Sequence, residues 1–387
     1  MATTLEPESA LRRLLRDPNL RFPERPQLIK DVVLFELPDG LGFQFRGPSA
    51  PVLVRGKHAA AALGFLRLVL DGAHTVDEIL NSCPPELPRV TLLRTLSLLH
   101  TKGLITRLST HGRSVVGDEA LRRQLLFWGR NVGHTQVAGS ASEAQTRLEN
   151  ASLVLIGKGM FGAAVYDLLT RSGCRSIRVL DWDDDGRFLG TIAGMSVAPR
   201  ETLHLETTSA LRARACLEDW AEETDLFLTA TCHAPDVFFA EVNRVSLDSG
   251  RPWLRATMDG SRIDIGPYVR PYESACFTCM KLREASMQGF AIEESAYQEG
   301  LARERPAGQT PPLGEAIPFA ALAASLVASE VVRILTQIGR PALLNAVMSV
   351  TPLDNLFQTH RTMRVPRCPD CYPRITSGKC TAEVGQA

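Results

Sequence analysis

The first third of the chain alternates apolar and polar positions in a way that predicts a small α+β domain. Three short apolar-rich runs separated by Gly- and Pro-containing turns are typical of strands, and they cover residues 28–37, 41–45 and 51–54. Apolar residues then recur at helical spacing in three segments and end in a short strand, at residues 58–70, 76–81, 88–102 and 104–106. This order predicts a winged-helix domain over residues 1–110.

From residue 151 the pattern changes to alternating strands and helices. A buried strand is predicted over residues 152–156, of which 153–156 form a continuous apolar run, as expected for a parallel strand covered on both faces. Further strands and helices are predicted at residues 163–171, 176–180, 226–230, 236–248, 253–257 and 318–335. The pattern favours an α/β, Rossmann-like domain over residues 151–387, joined to the first domain by a linker at 111–150 that contains some helix.

Composition narrows the class of protein without naming a partner. The 387 residues are 44% hydrophobic and 22% charged, which is close to an average soluble protein. Lys plus Arg and Asp plus Glu both number 43, so the net charge gives no reason to expect nucleic acid or an anionic membrane. The start of the chain lacks the apolar core of a signal peptide, and no stretch of about 18 or more apolar residues appears, so no transmembrane helix is expected. We therefore expect a cytoplasmic protein.

Three glycines follow the first strand of the second domain. Gly157, Gly159 and Gly162 form G-x-G-x-x-G before a helix, where backbone N–H groups and the helix dipole favour an anion. Asp181 ends the next strand, 19 positions after Gly162, where an acidic side chain can bind a ribose hydroxyl. These four residues are a candidate nucleotide site. The alternative is a tight strand–helix turn that binds nothing.

The chain contains nine cysteines, four of which form two C-x-x-C pairs. Cys276, Cys279, Cys368 and Cys371 have the spacing of two zinc knuckles that together give a closed, structural Cys₄ site. A redox dithiol is the alternative, although such a dithiol does not need a second, distant pair. Buried free thiols are expected at Cys83, Cys174, Cys216 and Cys232. Cys380 lies in a polar tail and is expected to have no role.

The order of these motifs resembles that of ThiF-type (ubiquitin-activating-enzyme-like) adenylating domains. The resemblance covers roughly residues 120–375. It rests on the segments 153–162, 179–183, 225–231, 266–267, 276–279, 328–334 and 368–371, with Asn243. The microcin C adenylating enzyme is similar and also has a small winged-helix domain in front.

The sequence departs from the active members of this family at the nucleotide site. Those members carry an Asn and an Arg-Gln pair after the D-x-D strand end, whereas residues 185–194 contain neither, and Arg187 is out of register. Cys232 stands where the resemblance implies a magnesium-binding Asp, and a thiol is a poor ligand for a hard cation. We therefore expect a vestigial nucleotide site, no catalytic residue, and ATP binding to be disfavoured. The adjacent His233 is interpreted as a hydrogen-bonded structural residue rather than a catalytic one.

A winged helix in front of a ThiF-like domain resembles the leader-peptide recognition element of ribosomal peptide pathways. The resemblance implies that a leader peptide adds as a strand beside residues 51–55 and faces the helix 88–102. The candidate peptide-binding residues are Val52, Leu53, Val54, Val90, Leu93, Arg94 and Ser97. The alternative is that the apolar members are simply core. DNA binding is disfavoured, because Arg89, Arg94, His100 and Lys102 make only a modest basic face.

Taken together, the chain resembles the ThiF-like partners of azole-forming YcaO cyclodehydratases, including the ocin-ThiF-like group. The resemblance implies a non-catalytic scaffold in bacteriocin maturation that binds a precursor leader peptide and delivers the core to a separate YcaO enzyme. Because the sequence ends at Ala387 without a YcaO domain, we expect the YcaO enzyme to be a separate protein. The alternative is an active enzyme that adenylates a peptide carboxylate. A homodimer is a further expectation of the resemblance.

Overall fold

The computed structural model describes most of the chain as two compact units. The described residues are 22–29, 32–38, 41–46, 51–56, 58–107, 119–131, 140–182, 187–195, 198–204, 210–287, 289–303 and 314–372. The first unit comprises Met1–Ala151 with Arg171–Cys174 and Val331–Arg340. The second comprises Ser152–Thr170, Arg175–Glu330 and Pro341–Ala387. The helices of the predicted linker therefore belong to the first unit.

The first unit contains two small antiparallel sheets. Strands β1 (Pro26–Leu28) and β5 (Ile105–Arg107) pair with each other. A second sheet has the order β2-β3-β4, built from Val33–Glu36, Gly42–Arg46 and Val52–Arg55. The predicted run 28–37 is thus divided between two sheets, because its two ends pair with different partners.

The described residues of the first unit form five helices beside these strands. They are α1 (Ala59–Val69), α2 (Val76–Asn81), α3 (Arg89–Thr101), α4 (Glu119–Asn131) and α5 (Ala141–Asn150). Thr75 begins α2 with a capping box, since its side chain accepts from the Glu78 N–H and Glu78 accepts from the Thr75 N–H. The core joins α1 and α3 to the inner face of the three-stranded sheet, where Leu66, Leu93 and Phe45 are almost completely buried.

The second unit is organised around one eight-stranded mixed sheet. Its order is β13-β12-β11-β10-β9-β6-β7-β8. The strands are β6 (Ser152–Gly157), β7 (Ser176–Asp181), β8 (Glu201–His204), β9 (Leu226–Cys232), β10 (Trp253–Asp259), β11 (Arg262–Val269), β12 (Ala346–Thr351) and β13 (Leu356–Arg361). Strands β6 to β10 pair with one another in parallel, and β11 to β13 continue the sheet from β10 in antiparallel pairs. This confirms the predicted α/β class.

Among the residues that the structure describes, seven helices pack with this sheet or close its connections. They are α6 (Gly159–Arg171), α7 (Arg187–Ile192), α8 (Ala210–Trp220), α9 (Asp236–Ser249), α10 (Phe277–Ala285), α11 (Ala291–Ala302) and α12 (Ile317–Thr336). Helix α12 is long and apolar enough to cross a membrane by length and composition alone, and it is the one such helix among the described residues. Its Ala320, Ala323 and Val327 are buried, as in a helix packed within a protein core.

Gly42 at the start of β3 is predicted to be important for the stability of the three-stranded sheet. Its φ is +131°, and a Cβ there would lie 2.0 Å from the Val54 carbonyl oxygen of the neighbouring strand. Gly42→Ala should lower the free energy of unfolding by about 1–3 kcal/mol because both the backbone and the strand contact are strained. Urea unfolding followed by circular dichroism measures this change.

Gly64→Ala is the matched control. Gly64 lies inside α1 and a Cβ there would meet no atom within 4 Å. Alanine should therefore stabilise the chain by about 0.5–1 kcal/mol, since it loses less backbone entropy on folding. Equal responses of the two variants would contradict the assignment of strain to Gly42.

Candidate functional site

The four cysteines of the two C-x-x-C pairs meet in the second unit. All four are buried, and their Sγ atoms lie within 4.8 Å of one another. The Sγ–Sγ distances are 3.9 Å for Cys276–Cys279, 3.7 Å for Cys276–Cys368 and 3.5 Å for Cys279–Cys371. A tetrahedral zinc thiolate site with Zn–S bonds near 2.3 Å requires sulfur atoms about 3.8 Å apart. The donor set therefore fits a metal ion of this kind.

Local structure holds each knuckle in place. Cys276 is the N-cap of α10, so Cys279 follows it within the first turn of the helix. The backbone N–H of Val365 donates to the Cys279 sulfur at 3.3 Å, which fixes the segment before the second knuckle. Burial raises the pKa of the Cys371 thiol to about 11. Burial thus disfavours the thiolate, and a bound cation would offset this effect by stabilising the negative charge.

Asn243 and Asp370 connect the two knuckles through hydrogen bonds. Asn243, fully buried on α9, accepts from the Phe277 N–H at 3.0 Å and donates to the Asp370 carboxylate at 3.3 Å. The Thr278 hydroxyl donates to the same Asp370 carboxylate. The amide thus touches the backbone of one knuckle and a side chain of the other, which is the arrangement expected of residues that orient metal ligands.

The candidate nucleotide residues gather at the carboxyl edge of the parallel strands. Gly157 is in register with Asp181 of β7 on one side and with Ala230 of β9 on the other. Strand β6 lies between β7 and β9, so this edge is the point where the strand order reverses. Open α/β sheets bind ligands at such switch points. Helix α6 begins at Gly159 and directs its N-terminus to the same place.

Side chains of the chain itself lie against two of the three glycines. A Cβ on Gly157 would be 2.3 Å from the Phe188 ring, and a Cβ on Gly159 would be 2.0 Å from Oε1 of Glu315. Gly162 instead faces the Gly157 backbone, where a Cβ would lie 3.0 Å from its Cα. The third glycine therefore permits close packing of helix and strand, while the first two accommodate Phe188 and Glu315.

The Glu315 carboxylate is hydrogen-bonded at the N-terminus of α6. Its Oε2 accepts from the Phe161 N–H at 3.0 Å, and its Oε1 accepts from the Cys232 thiol at 3.4 Å. Glu315 lies two positions before the first residue of α12 and is 154 positions from Phe161. We refer to the N-terminus of α6 with Gly157, Gly159 and Gly162 as the glycine cradle. No periodicity of the sequence indicated that Glu315 would enter it.

Asp181 and Cys232 are both buried at this edge. Asp181 exposes none of its surface, so its carboxylate is not open to a ribose hydroxyl in this structure. Cys232 ends β9 with only 2% of its surface exposed. Part of the segment 185–194, where the sequence lacks the Asn and Arg-Gln of active enzymes, lies outside the described residues, and the side chain of Arg187 is among those not described.

His233 joins a polar cluster beside the cradle that the sequence did not reveal. Its backbone has φ +52°, and its Nδ1 lies 2.7 Å from Asp259 at the end of β10. The Tyr297 hydroxyl donates to the other Asp259 oxygen at 3.1 Å. The hydrogen bond with His233 lowers the pKa of Asp259. The cluster links α11 to the sheet, and His233 is hydrogen-bonded as predicted. That its role is structural rather than catalytic stays a prediction.

The residues predicted to bind a peptide divide into buried and accessible groups. Val52, Val54, Leu93 and Ser97 are buried, and the Ser97 hydroxyl donates to the Leu93 carbonyl at 2.8 Å. Leu53 and Arg94 are exposed, and Val90 is partly buried. Among the described residues β4 pairs with β3 alone, so it is an edge strand. The first group packs the core, whereas the side chains of Leu53 and Arg94 are open to solvent.

The fold defined by these two units is an α/β fold with a large mixed sheet and a buried four-cysteine cluster. It is similar to that of E. coli MccB, with a TM-score of 0.63 and 16% identity over 92% of this chain and 99% of MccB. The microcin C7 biosynthetic enzyme MccB in complex with N-formylated MccA gives a TM-score of 0.62 at 16% identity, covering 90% and 99%.

A more distant match adds a second kind of protein with this fold. A heterocyclase in complex with substrate and cofactor gives a TM-score of 0.55 at 15% identity, over 89% of this chain and 39% of the heterocyclase. No protein-family model and no curated protein sequence matches the chain. The similarity to these solved structures is therefore a similarity of fold.

Purified protein is predicted to contain one tightly held metal ion per chain. Cys368→Ser should lower the metal content to below about a tenth and the melting temperature by several degrees, because a closed site contributes to folding. Inductively coupled plasma mass spectrometry and thermal unfolding provide the two measurements. Cys216→Ser, a partly buried cysteine outside the cluster, is the control. Full metal content in Cys368→Ser would refute the site.

Asn243→Ala is predicted to weaken metal retention without removing a ligand. The variant loses the contacts to Phe277 and Asp370, so the two knuckles are no longer oriented together. The apparent metal affinity should fall by about 10- to 100-fold, the range typical of residues that orient metal ligands. Competition with a chromogenic chelator measures it. Unchanged affinity would show that the knuckles hold their positions without Asn243.

Proposed function

We propose that the protein is a non-catalytic scaffold in the maturation of a ribosomally synthesised peptide of the azole or thiopeptide type. It binds the leader segment of a precursor peptide and presents the core segment to a separate YcaO cyclodehydratase. The fold supports this proposal, because one structure of similar fold holds the peptide MccA and another is a heterocyclase complex. Tethering both segments raises the effective concentration of the core peptide at the partner enzyme.

The observation that carries the non-catalytic part is Cys232. The chain keeps the strand order and the glycine turn of a nucleotide site, yet β9 ends in a buried thiol. Nucleotidyl transfer requires cations that neutralise the phosphates, and those cations require carboxylate oxygens. The resemblance to adenylating enzymes implies an Asp at this position. A chain with Cys232 there is therefore a poor adenylating enzyme.

The first unit supplies the proposed peptide site. Its α+β arrangement is consistent with a winged-helix recognition element, in which an extended peptide adds to a free sheet edge. Strand β4 offers that edge, with Leu53 and Arg55 exposed on its outer face. Backbone hydrogen bonds would provide affinity, and the side chains of Leu53, Val90 and Arg94 would provide selectivity.

The metal, the location and the assembly complete the proposal. Zinc is the ion that best suits four buried thiolates, and it would be structural because four protein ligands leave no open position. A reducing cytoplasm suits thiols that are not paired as disulfides. A homodimer remains an expectation from the resemblance. The second candidate function is an enzyme that adenylates a peptide carboxylate, which the similarity in fold to MccB favours.

Enzymatic activity separates the two candidates. We predict no ATP–pyrophosphate exchange above background when the purified protein is mixed with Mg²⁺-ATP and the precursor peptide encoded by a neighbouring gene. The same peptide should bind with micromolar or better affinity in fluorescence anisotropy, and heterocycles should form only when the YcaO enzyme is added. Robust exchange would refute the scaffold and favour the adenylating enzyme.

Peptide binding should depend on the exposed side chain in the middle of β4. Leu53→Lys should weaken peptide binding by about fivefold, because a cross-strand pair is worth up to about 1 kcal/mol and an edge lysine opposes strand addition. Leu68→Lys is the matched control, since Leu68 is 77% exposed on α1, away from the edge strand. Anisotropy titrations of both variants check the prediction. Equal losses would exclude β4 as the peptide site.

A further inference from the structure

The Glu315 side chain places a negatively charged carboxylate in the glycine cradle. Its Oε2 accepts from the Phe161 N–H, in the first turn of α6, at 3.0 Å. The N-terminus of a helix carries unsatisfied N–H groups and about half a positive charge, and it attracts phosphates and carboxylates alike. A carboxylate at this point therefore lies where a bound phosphate group would receive the same hydrogen bond.

The approach of this carboxylate depends on Gly159. A Cβ at position 159 would stand 2.0 Å from Glu315 Oε1, and the residue has φ +61°. The glycine that permits a phosphate to approach the turn in nucleotide sites here permits Glu315 to approach it. The cradle thus has the shape of an anion site, and the side chain of Glu315 occupies it.

Glu315 could instead be regarded as a displaced metal ligand that replaces the carboxylate missing at Cys232. The hydrogen bonds oppose that interpretation. Both of its oxygens accept from donors of the chain, one from the Phe161 N–H and the other from the Cys232 thiol at 3.4 Å. A carboxylate that served a cation would turn an oxygen toward the ion and away from the helix N-terminus. The geometry is that of an anion bound by the cradle.

We infer that Glu315 is a built-in occupant of the glycine cradle that competes with phosphate for it. The cradle becomes a site for a phosphate group, whether free or part of a nucleotide, when this carboxylate is removed or moves away. The inference deepens the proposed function and rests on it, because it gives the scaffold a second means of excluding ATP besides the thiol of Cys232.

The experiment removes the carboxylate and measures phosphate binding to the full-length protein. Wild type, Glu315→Ala and Glu315→Gln are titrated calorimetrically with inorganic phosphate, ATP and adenosine, each with and without Mg²⁺. Glu315→Ala should bind inorganic phosphate and ATP at least tenfold more tightly than wild type, and adenosine should show no gain. Glu315→Gln keeps the shape but loses the charge, so it should bind phosphate more tightly than wild type and less tightly than alanine.

Glu293→Ala is the control for removal of a negative charge from this unit. Glu293 lies in the first turn of α11, and its side chain is exposed. It should leave phosphate affinity at the wild-type value. A gain of equal size in Glu293→Ala would attribute the effect to net charge and overturn the inference.

Two further results would overturn the inference. One is a folded Glu315→Ala, with wild-type circular dichroism, that gains no phosphate affinity, while Glu315→Gln also gains none. The other is Mg²⁺-dependent ATP binding by wild type that Glu315→Ala abolishes, which would make Glu315 a metal ligand. The outcome for the scaffold is separate, because ATP–pyrophosphate exchange by wild type tests the proposed function whatever Glu315→Ala binds.

Discussion

The N-terminus of helix α6 places N–H groups that have no partner within the helix, and the positive end of a helix dipole, at the carboxyl edge of the large sheet. A helix end of this kind needs a partner from outside the helix, and in nucleotide-binding proteins the ligand provides it. Here Glu315 provides it, with its second oxygen held by Cys232. In the proposed scaffold, the Cys232 thiol and the Glu315 carboxylate belong to one electrostatic arrangement: the negative charge lies where a phosphate would bind, and not at the strand end where a cation would need it.

This rearrangement leaves the rest of the second unit intact. The strand order, the close packing of Gly162 on Gly157 and the hydrogen-bonded knuckles all depend on packing and on the four cysteines, and none requires a nucleotide. Asn243 illustrates this independence, because it connects both knuckles from α9 through groups remote in sequence. A fold stabilised in this way does not depend on a bound nucleotide, so the fold alone does not argue for an adenylation reaction.

Local patterns predicted those parts of the structure that local physics determines. The C-x-x-C spacing predicted the cluster of four thiols. The apolar run that ends at Ile156 predicted β6, and the leucines of residues 88–102 predicted the buried face of α3. Strand β13 escaped prediction because every residue of it is exposed, so it has no alternation to detect. The residues 111–150 contain α4 and α5, whose contact between Trp128 and Gln145 is a tertiary feature that no short window contains.

The same reasoning explains why the candidate site was only half predicted. The glycines and cysteines of the site can be predicted from their spacing, because backbone geometry and metal coordination fix the intervals between them. Glu315 follows a Pro-rich segment and reaches a helix end 154 positions earlier, so only the folded chain brings the two together. A missing residue such as an Asp replaced by Cys232 can be recognised in a sequence. The side chain that occupies the site in place of a ligand can come from any element nearby, as Glu315 does. A missing Asp therefore indicates a poor cation site, but it does not predict which side chain lies in the glycine cradle.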